Sequence, residues 1–560
     1  MLSVLLWMLV ALGAAAQEED AAIKAALYLN GASSAEELEA DEMERLQILG
    51  KVRVNAPGRN ARAILSEYQL AALEDYRHSC GDILSWEELA LVDGFGKEAV
   101  EALKPYLSLW SDNLPGAVDT MSHFKGNLLV RATEKNYGGK IKAGGKSWQV
   151  AGAARNKAWG SYDYDWTASA DIGNSRWSVL IGDFNVRYGQ GIGIWSGFSM
   201  TSLSTVDAFI KRPTGIKPLC SFTPSEHRGL AGEYRFGRWS LAAFGDIIGN
   251  AGLHAGYVSI RSQLGLTVLP NRLSTDFAFN YKGIDLVGEL GISGLTLAGR
   301  GSTNLPTAGK SVFAGALATK FKIKDIKCAL QTRVIPSAFS GKKNGEYVAA
   351  AGAQWKSPQW QKLKGRQGFG SSVSKHAVSL TADASLLPVP HKDPGRKQLR
   401  IYGSWQWQMT GILALETKFT GRYRNWEPSR SDLRIDIKYS DGQWFGTSRI
   451  EGDYCSGTGV LGYLEIGNKG QDSWSAYMRI GAFNTAGWAS RIYCYERDAL
   501  GTFTVSAYSG KGVTASLYGW CKTNIGRHFS TKLYLRAACT LKEVTQPIPS
   551  IHLQLEMRVM

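Results

Sequence analysis

Leu399-Arg400-Ile401-Tyr402-Gly403-Ser404-Trp405-Gln406-Trp407-Gln408 alternates without a break. Its odd positions are Leu, Ile, Gly, Trp and Trp; its even positions are Arg, Tyr, Ser, Gln and Gln. Successive side chains of a strand point to opposite faces, so this stretch has one apolar and one polar face. The pattern recurs on both sides. Leu413, Leu415, Phe419, Gly421 and Tyr423 stand against Glu416, Lys418, Arg422 and Arg424, and Asp432 to Tyr439 repeats the alternation. At the end, Ile551, Leu553, Leu555, Met557 and Val559 alternate with His552, Gln554, Glu556 and Arg558.

A soluble sandwich would bury the apolar face, whereas a membrane barrel turns it to lipid and keeps the charged face in a hydrated lumen. Three features favour the barrel. The segments run to ten residues or more, the length a tilted strand needs to cross a bilayer, while soluble strands average about five or six. Aromatics recur near segment ends (Trp148, Trp159, Tyr162, Trp177, Trp239, Trp426, Trp444, Trp474, Trp488), as in interfacial girdles. Connections such as Gly173-Asn174-Ser175, Phe236-Gly237-Arg238, Ser440-Asp441-Gly442 and Ser509-Gly510-Lys511-Gly512 are short and turn-like. A single soluble core also stops growing near about 250–300 residues. At roughly 18–20 residues per strand and connection, residues 113–560 hold about 22–26 antiparallel strands.

Composition agrees. The chain has 560 residues, with 63 Gly, 18 Trp and 23 Tyr. So many aromatics exclude a disordered chain, and no apolar run beyond residue 16 is long enough for a spanning helix. Met1 to Ala16 reads as a secretory signal, an apolar stretch followed by Ala14-x-Ala16.

The charge is unevenly placed. The whole chain carries +15. Residues 17–112 hold 19 acids and 9 bases, a net −10, which leaves +25 for residues 113–560. The texture of 17–112 is helical, with capping signals at Ser34/Glu37, Ser66/Gln69 and Ser85/Glu88. Gly94-Phe95-Gly96-Lys97 sits between two short helical patterns, where glycine accepts positive φ without a Cβ clash. Leu65 to Arg77, Leu84 to Leu89 and Val92 to Gly96 resemble a helix-hairpin-helix domain. The DNA-binding members of that class, competence DNA receptors among them, contact phosphates through hairpin amides and nearby bases. Here Glu87, Glu88, Asp93, Glu98 and Glu101 crowd the hairpin. Phosphate binding draws on basic charge, so nucleic acid is a disfavoured partner and a small structural or docking module the expected role.

One stretch of the C-terminal part does not alternate, from Arg187 to Glu226. It is rich in Gly, Ser, Thr and Pro and too long for an ordinary connection. A plug inside the barrel, with Arg187, Tyr188, Gly189, Gln190, Gly191 and Trp195 as candidate residues, and an extended surface loop are both open. Gly189-Gln190-Gly191-Ile192-Gly193 lacks the third glycine and the βαβ setting of a nucleotide fingerprint. Gly182 to Gly191, Trp195 to Phe198 and His227 to Gly232 resemble the large helix-hairpin-helix-containing outer-membrane proteins of the Bacteroidota. That resemblance implies a periplasmic helical segment followed by a long barrel, and no settled function.

Seven Cys with no C-x-x-C pair support neither a metal site nor a full disulfide framework, although one or two pairs would be compatible with an oxidising compartment. Glu226-His227-Arg228 hints at acid–base chemistry without a spaced partner. No enzyme activity, cofactor or metal is therefore expected. The sequence predicts a signal (1–16), a periplasmic helical domain (17–112) and an outer-membrane barrel (113–560) in a Gram-negative bacterium. Lipid is the expected partner, with periplasmic proteins meeting residues 17–112. The role is a pore or a translocation or assembly component. A DNA-uptake component and a plugged structural anchor are the alternatives.

Overall fold

A computed structural model describes residues 16–33, 35–38, 46, 49, 51–111, 124–197, 203–294, 311–341, 345–357, 375–387, 396–468, 470, 473–499, 502, 504–526, 529–543 and 546–559. The proposed signal and Ser34 of the first capping pair lie outside them, Ala16 apart.

The long C-terminal part forms one closed antiparallel barrel of 24 wall strands. Its first strand, Lys125–Thr133, pairs with its last, Ile548–Val559, so no edge is left to pair with another chain. One short extra strand, Gly215–Pro218, pairs with the end of Trp177–Arg187. The rest of Trp177–Arg187 pairs directly with His227–Phe236. The wall therefore closes without residues 188–226.

The faces divide as the alternation demands. Along Trp474–Thr485, Ala476, Met478 and Ile480 are exposed, and Ser475, Tyr477 and Arg479 are buried. Leu399, Ile401 and Trp405 point outward, while Gln398 is buried. An exterior of Leu, Ile, Val and Phe around a polar interior is stable only where lipid replaces water outside.

Two aromatic belts mark the bilayer boundaries. Trp148, Trp177, Trp239, Trp444 and Trp474 each open a strand at the end of the barrel where the first wall strand begins and the last one finishes. Trp239 packs on Tyr257 there, ring centroids 4.9 Å apart. At the far end Trp159 packs on Tyr137 at 5.0 Å, and Arg396 and Arg424 cover Trp426. Amphipathic rings settle where hydrocarbon meets headgroups.

Residues ahead of the barrel form a small helical head with helices α1 (Ala16–Asn30), α2 (Glu67–Cys80), α3 (Trp86–Leu89) and α4 (Gly96–Leu103). Ser66 and Gln69 form the reciprocal capping box at α2, and Ser85 caps α3 by accepting from the Glu88 amide. A two-residue parallel pairing, Val52–Arg53 with Leu107–Ser108, closes the head. Val52, Ile64, Leu73, Leu89, Phe95 and Leu103 fill one core. Asn55 staples it, donating to the carbonyls of Ile83 and Leu109 and accepting from the Ile83 amide. No disulfide joins any of the seven cysteines.

Candidate functional site

The site is the barrel's interior, with residues 187–197 and 203–226 at its centre. Arg187 ends a wall strand and forms a bridge with Trp195. Its Nε donates to the Ser196 carbonyl at 3.0 Å, and the ring of Trp195 lies beneath both Arg187 and Lys211. Tyr188 stacks on His254 of the wall, centroids 3.7 Å apart, and its hydroxyl donates to Glu233 at 3.2 Å. Further along, Thr381 donates to the Leu203 carbonyl at 2.6 Å. Ser169 and Thr167 donate to the carbonyls of Leu219 and Ser221. Phe222 sits under Arg131, Lys140 and Arg155. These partners lie on the inward faces of strands well separated around the wall.

The tightest attachment is a carboxylate held by backbone amides. Glu289, only 1% exposed, projects from the strand Ile284–Ser293. Its Oε2 accepts from the amides of Gln190 (2.6 Å) and Ile192 (2.9 Å), and its Oε1 from Gly193 (2.7 Å). Successive N–H groups of a turn make a concave anion site. Glycine is required there for two reasons. Gly189 and Gly191 have φ of +61° and +82°, a region costly to other residues. A Cβ at Gly193 would lie 2.0 Å from Ser274 Oγ, and one at Gly189 would lie 2.6 Å from the Glu289 carboxyl. Arg333 locks the same turn, donating to the Gln190 carbonyl at 2.9 Å. The glycine run thus does cradle an anion, and that anion is a side chain of the barrel.

The helical head enters at the terminal end. Arg235 Nη2 reaches Glu67 at 2.6 Å, Arg62 reaches Glu233 at 3.3 Å, and Arg238 reaches Asp75 at 3.3 Å. Deeper in, Lys418 donates to the Ser33 carbonyl at 2.8 Å. Ser204 donates to Glu37, and Thr205 to the Gly31 carbonyl. One network joins all three bodies. Lys327 of the wall contacts Asp207 of the central segment (3.2 Å) and Glu98 of α4 (3.4 Å); Lys320 also reaches Asp207 and Lys356 reaches Glu98. Burial opposes ionisation of Asp207, but Lys327 and Lys320 outweigh it and hold its carboxyl at about 2. Glu98 is likewise kept below its usual range: burial is overcome by Lys327 and Lys356.

From the far end a hairpin folds inward, Ile492–Glu496 with Thr504–Tyr508. Arg536 of the wall pairs with Glu496. His552 Nδ1 meets Asp498 at 2.5 Å, and Arg497 meets Glu465 at 3.1 Å. The hairpin packs against Ala35–Glu37 of the head, so segments from both ends meet in the lumen. Ser509-Gly510 connects this hairpin to the wall strand Lys511–Ile525, rather than one wall strand to the next.

The candidate residues fall into two groups. Arg187, Tyr188, Gly189, Gln190, Gly191 and Trp195 come together at the wall. Gly94 and Phe95 lie in the α3–α4 turn and Gly96 and Lys97 open α4, with Phe95 in the head core and Lys97 exposed. Gln69 Nε2 donates to the Gly94 carbonyl at 2.8 Å. Gly94 meets Tyr188, Gly189 and Gln190 in the lining of one lumen cavity of about 310 Å³. His227 is paired to Asp246 at 2.9 Å, and Ser225 donates to the His227 carbonyl rather than to its ring. Sequence reasoning missed Glu289, Arg333 and the inward hairpin. Glu289 is one acid on one alternating strand, and nothing local marks what it will meet.

No protein-family model and no curated protein matches the chain. Solved structures with which it shares a likeness include the outer membrane protein opdK from Pseudomonas aeruginosa: TM-score 0.31, 8% identity, 78% of this chain and 98% of that one. The translocation pore of the P pilus usher PapC gives TM-score 0.38 and 9% identity, over 78% and 99%. OccAB3 of Acinetobacter baumannii gives 0.28 and 7%, again over 78% and 99%. Superpositions this loose say no more than that large antiparallel barrels share a wall.

Proposed function

We propose that the chain is an outer-membrane pore held closed by its own segments, with residues 187–226 as plug and the helical head as a second stopper facing the periplasm. The observation that carries this is the grip on Glu289. Three backbone amides converge on one buried wall carboxylate, an attachment a surface loop has no use for. It is also a side-chain attachment, unlike the continuous backbone ladder of the wall. The head's docking supports the same reading: an acidic body seated in a basic barrel is held by charge, and charge contacts are exchangeable. Passage requires that the head and plug move. A periplasmic partner that engages the head is the natural trigger, and the wall's contacts with Glu67, Asp75 and Glu98 are what it would break.

DNA binding by the head is not adopted. Glu98, in the first turn of α4, already engages Lys327 and Lys356, so the hairpin side of the head faces the barrel. Liposome swelling tests the proposal. Vesicles carrying the intact chain should admit a small neutral solute slowly, and vesicles carrying a chain with 188–226 replaced by a short Gly-Ser linker should admit it fast. Equal rates, with both proteins folded, would remove the plug reading.

A further inference from the structure

The lumen cavity has a chemistry of its own. It lies between the head, the plug and the wall strands from Glu233 to Lys320, and its volume is about 310 Å³. Such a volume is at the lower end of small-molecule pockets and matches one or two sugar rings.

Its lining holds four acidic and four basic side chains, so it is electrically balanced. Three of the acids are engaged: Glu67 with Arg235, Glu233 with Arg62, and Asp207 with Lys320. Asp276 is the fourth. It is 6% exposed, and its Oδ1 has no hydrogen-bond partner among the described residues. Gly265 stands directly across the sheet from it, where a Cβ would lie 2.3 Å from that oxygen, so the neighbouring strand is pared back to leave the carboxylate room. An unsatisfied buried acceptor is costly, and one that lines a cavity is an acceptor waiting for a donor. The bases do not answer that need. Lys320 is on Asp207, Arg235 on Glu67, and Lys211 over the Trp195 ring. Arg212 is the fourth base, so the cations of the lining match its acids in number and favour no net charge on a ligand. Tyr28 and Tyr68 of the head also line the space, offering ring faces and hydroxyls.

We propose that this cavity is a binding site for a neutral polyhydroxylated molecule, a mono- or disaccharide, with Asp276 accepting from vicinal hydroxyls and the tyrosines facing the ring. The assignment rests on the closed-pore reading for its biological sense, because it names the class of solute the pore would handle.

Equilibrium dialysis of the purified full-length chain in detergent tests it without asking the pore to open. Glucose, maltose and cellobiose are the neutral probes; putrescine and gluconate are the charged comparators. At least one sugar should be retained, with both charged probes passing through. Asp276→Asn, which keeps the shape and removes the charge, should weaken retention at least tenfold, while the heat-dependent gel shift of the folded barrel stays unchanged. Retention of no sugar, retention equal in the variant, or preferential retention of a charged probe would each overturn the proposal. Sugar retained by the intact chain, with no solute admitted by the folded barrel lacking 188–226, would leave the site standing and remove the pore reading instead.

Discussion

Glu289 shows how much one side chain decides here. Removing its carboxylate strips three buried amides of their acceptor, and leaving buried donors unpaired costs about 1–3 kcal/mol. Glu289→Ala should therefore loosen the plug without touching the wall ladder, seen as bursts of conductance in planar bilayers where the parent stays quiet; a silent variant would show that the plug is held elsewhere. Asp207 makes a pH prediction. Its folded pKa of about 2 lies below the ordinary aspartate value of 3.8. The stabilisation from its pairing with Lys327 and Lys320 is thus fully present above about pH 4 and is lost as pH falls from there to about 2. A shift of this size corresponds to about 2 kcal/mol. Protease resistance of the head should hold at pH 5 and fall near pH 3 with an acid-stable protease, and Asp207→Asn should be weak at both.

Among the elements, legibility was uneven for physical reasons. The wall strands announce themselves because lipid outside and water inside impose a two-residue period on each, and each is long enough to show it. That is why Leu399 to Gln408 and Asp432 to Tyr439 read correctly from the sequence alone. Caps read equally well, since Ser66/Gln69 and Ser85/Glu88 are local bonds. The inward hairpin did not. Ile492–Glu496 and Thr504–Tyr508 are five residues each, and between two long wall strands they look like one more pass or a loop. Because Trp474–Thr485 pairs directly with Lys511–Ile525, replacing residues 488–508 by a short turn should leave the barrel closed. Heat-modifiable migration should be unchanged, and loss of the folded form would show that the hairpin is needed to build the wall. The head's docking is also an element-scale contact. Glu98→Lys should expose the head to trypsin at low salt, and adding Lys327→Glu should restore part of its protection; no restoration would mean the two do not interact.

On the scale of the whole molecule, the charge split takes on a structural meaning. A head of −10 and a barrel part of +25 read in the sequence as a reason to doubt DNA binding. In the structure the two charges face each other: Glu67, Asp75 and Glu98 of the head meet Arg235, Arg238, Lys327 and Lys356 of the barrel. No local pattern could reveal this, because the pairing spans some 160 to 260 residues of chain. Architecture was legible and occupancy was not, since strand period is written in each strand whereas plug contacts exist only once the barrel has closed. The most direct test of the central claim, that the lumen is closed from within, is single-channel conductance in planar bilayers. The intact chain should show little or no steady current, and a chain lacking both 17–111 and 188–226, its folded state verified by heat-modifiable migration, should show large uniform steps. A large steady current from the intact chain, or silence from the folded, emptied barrel, would contradict it.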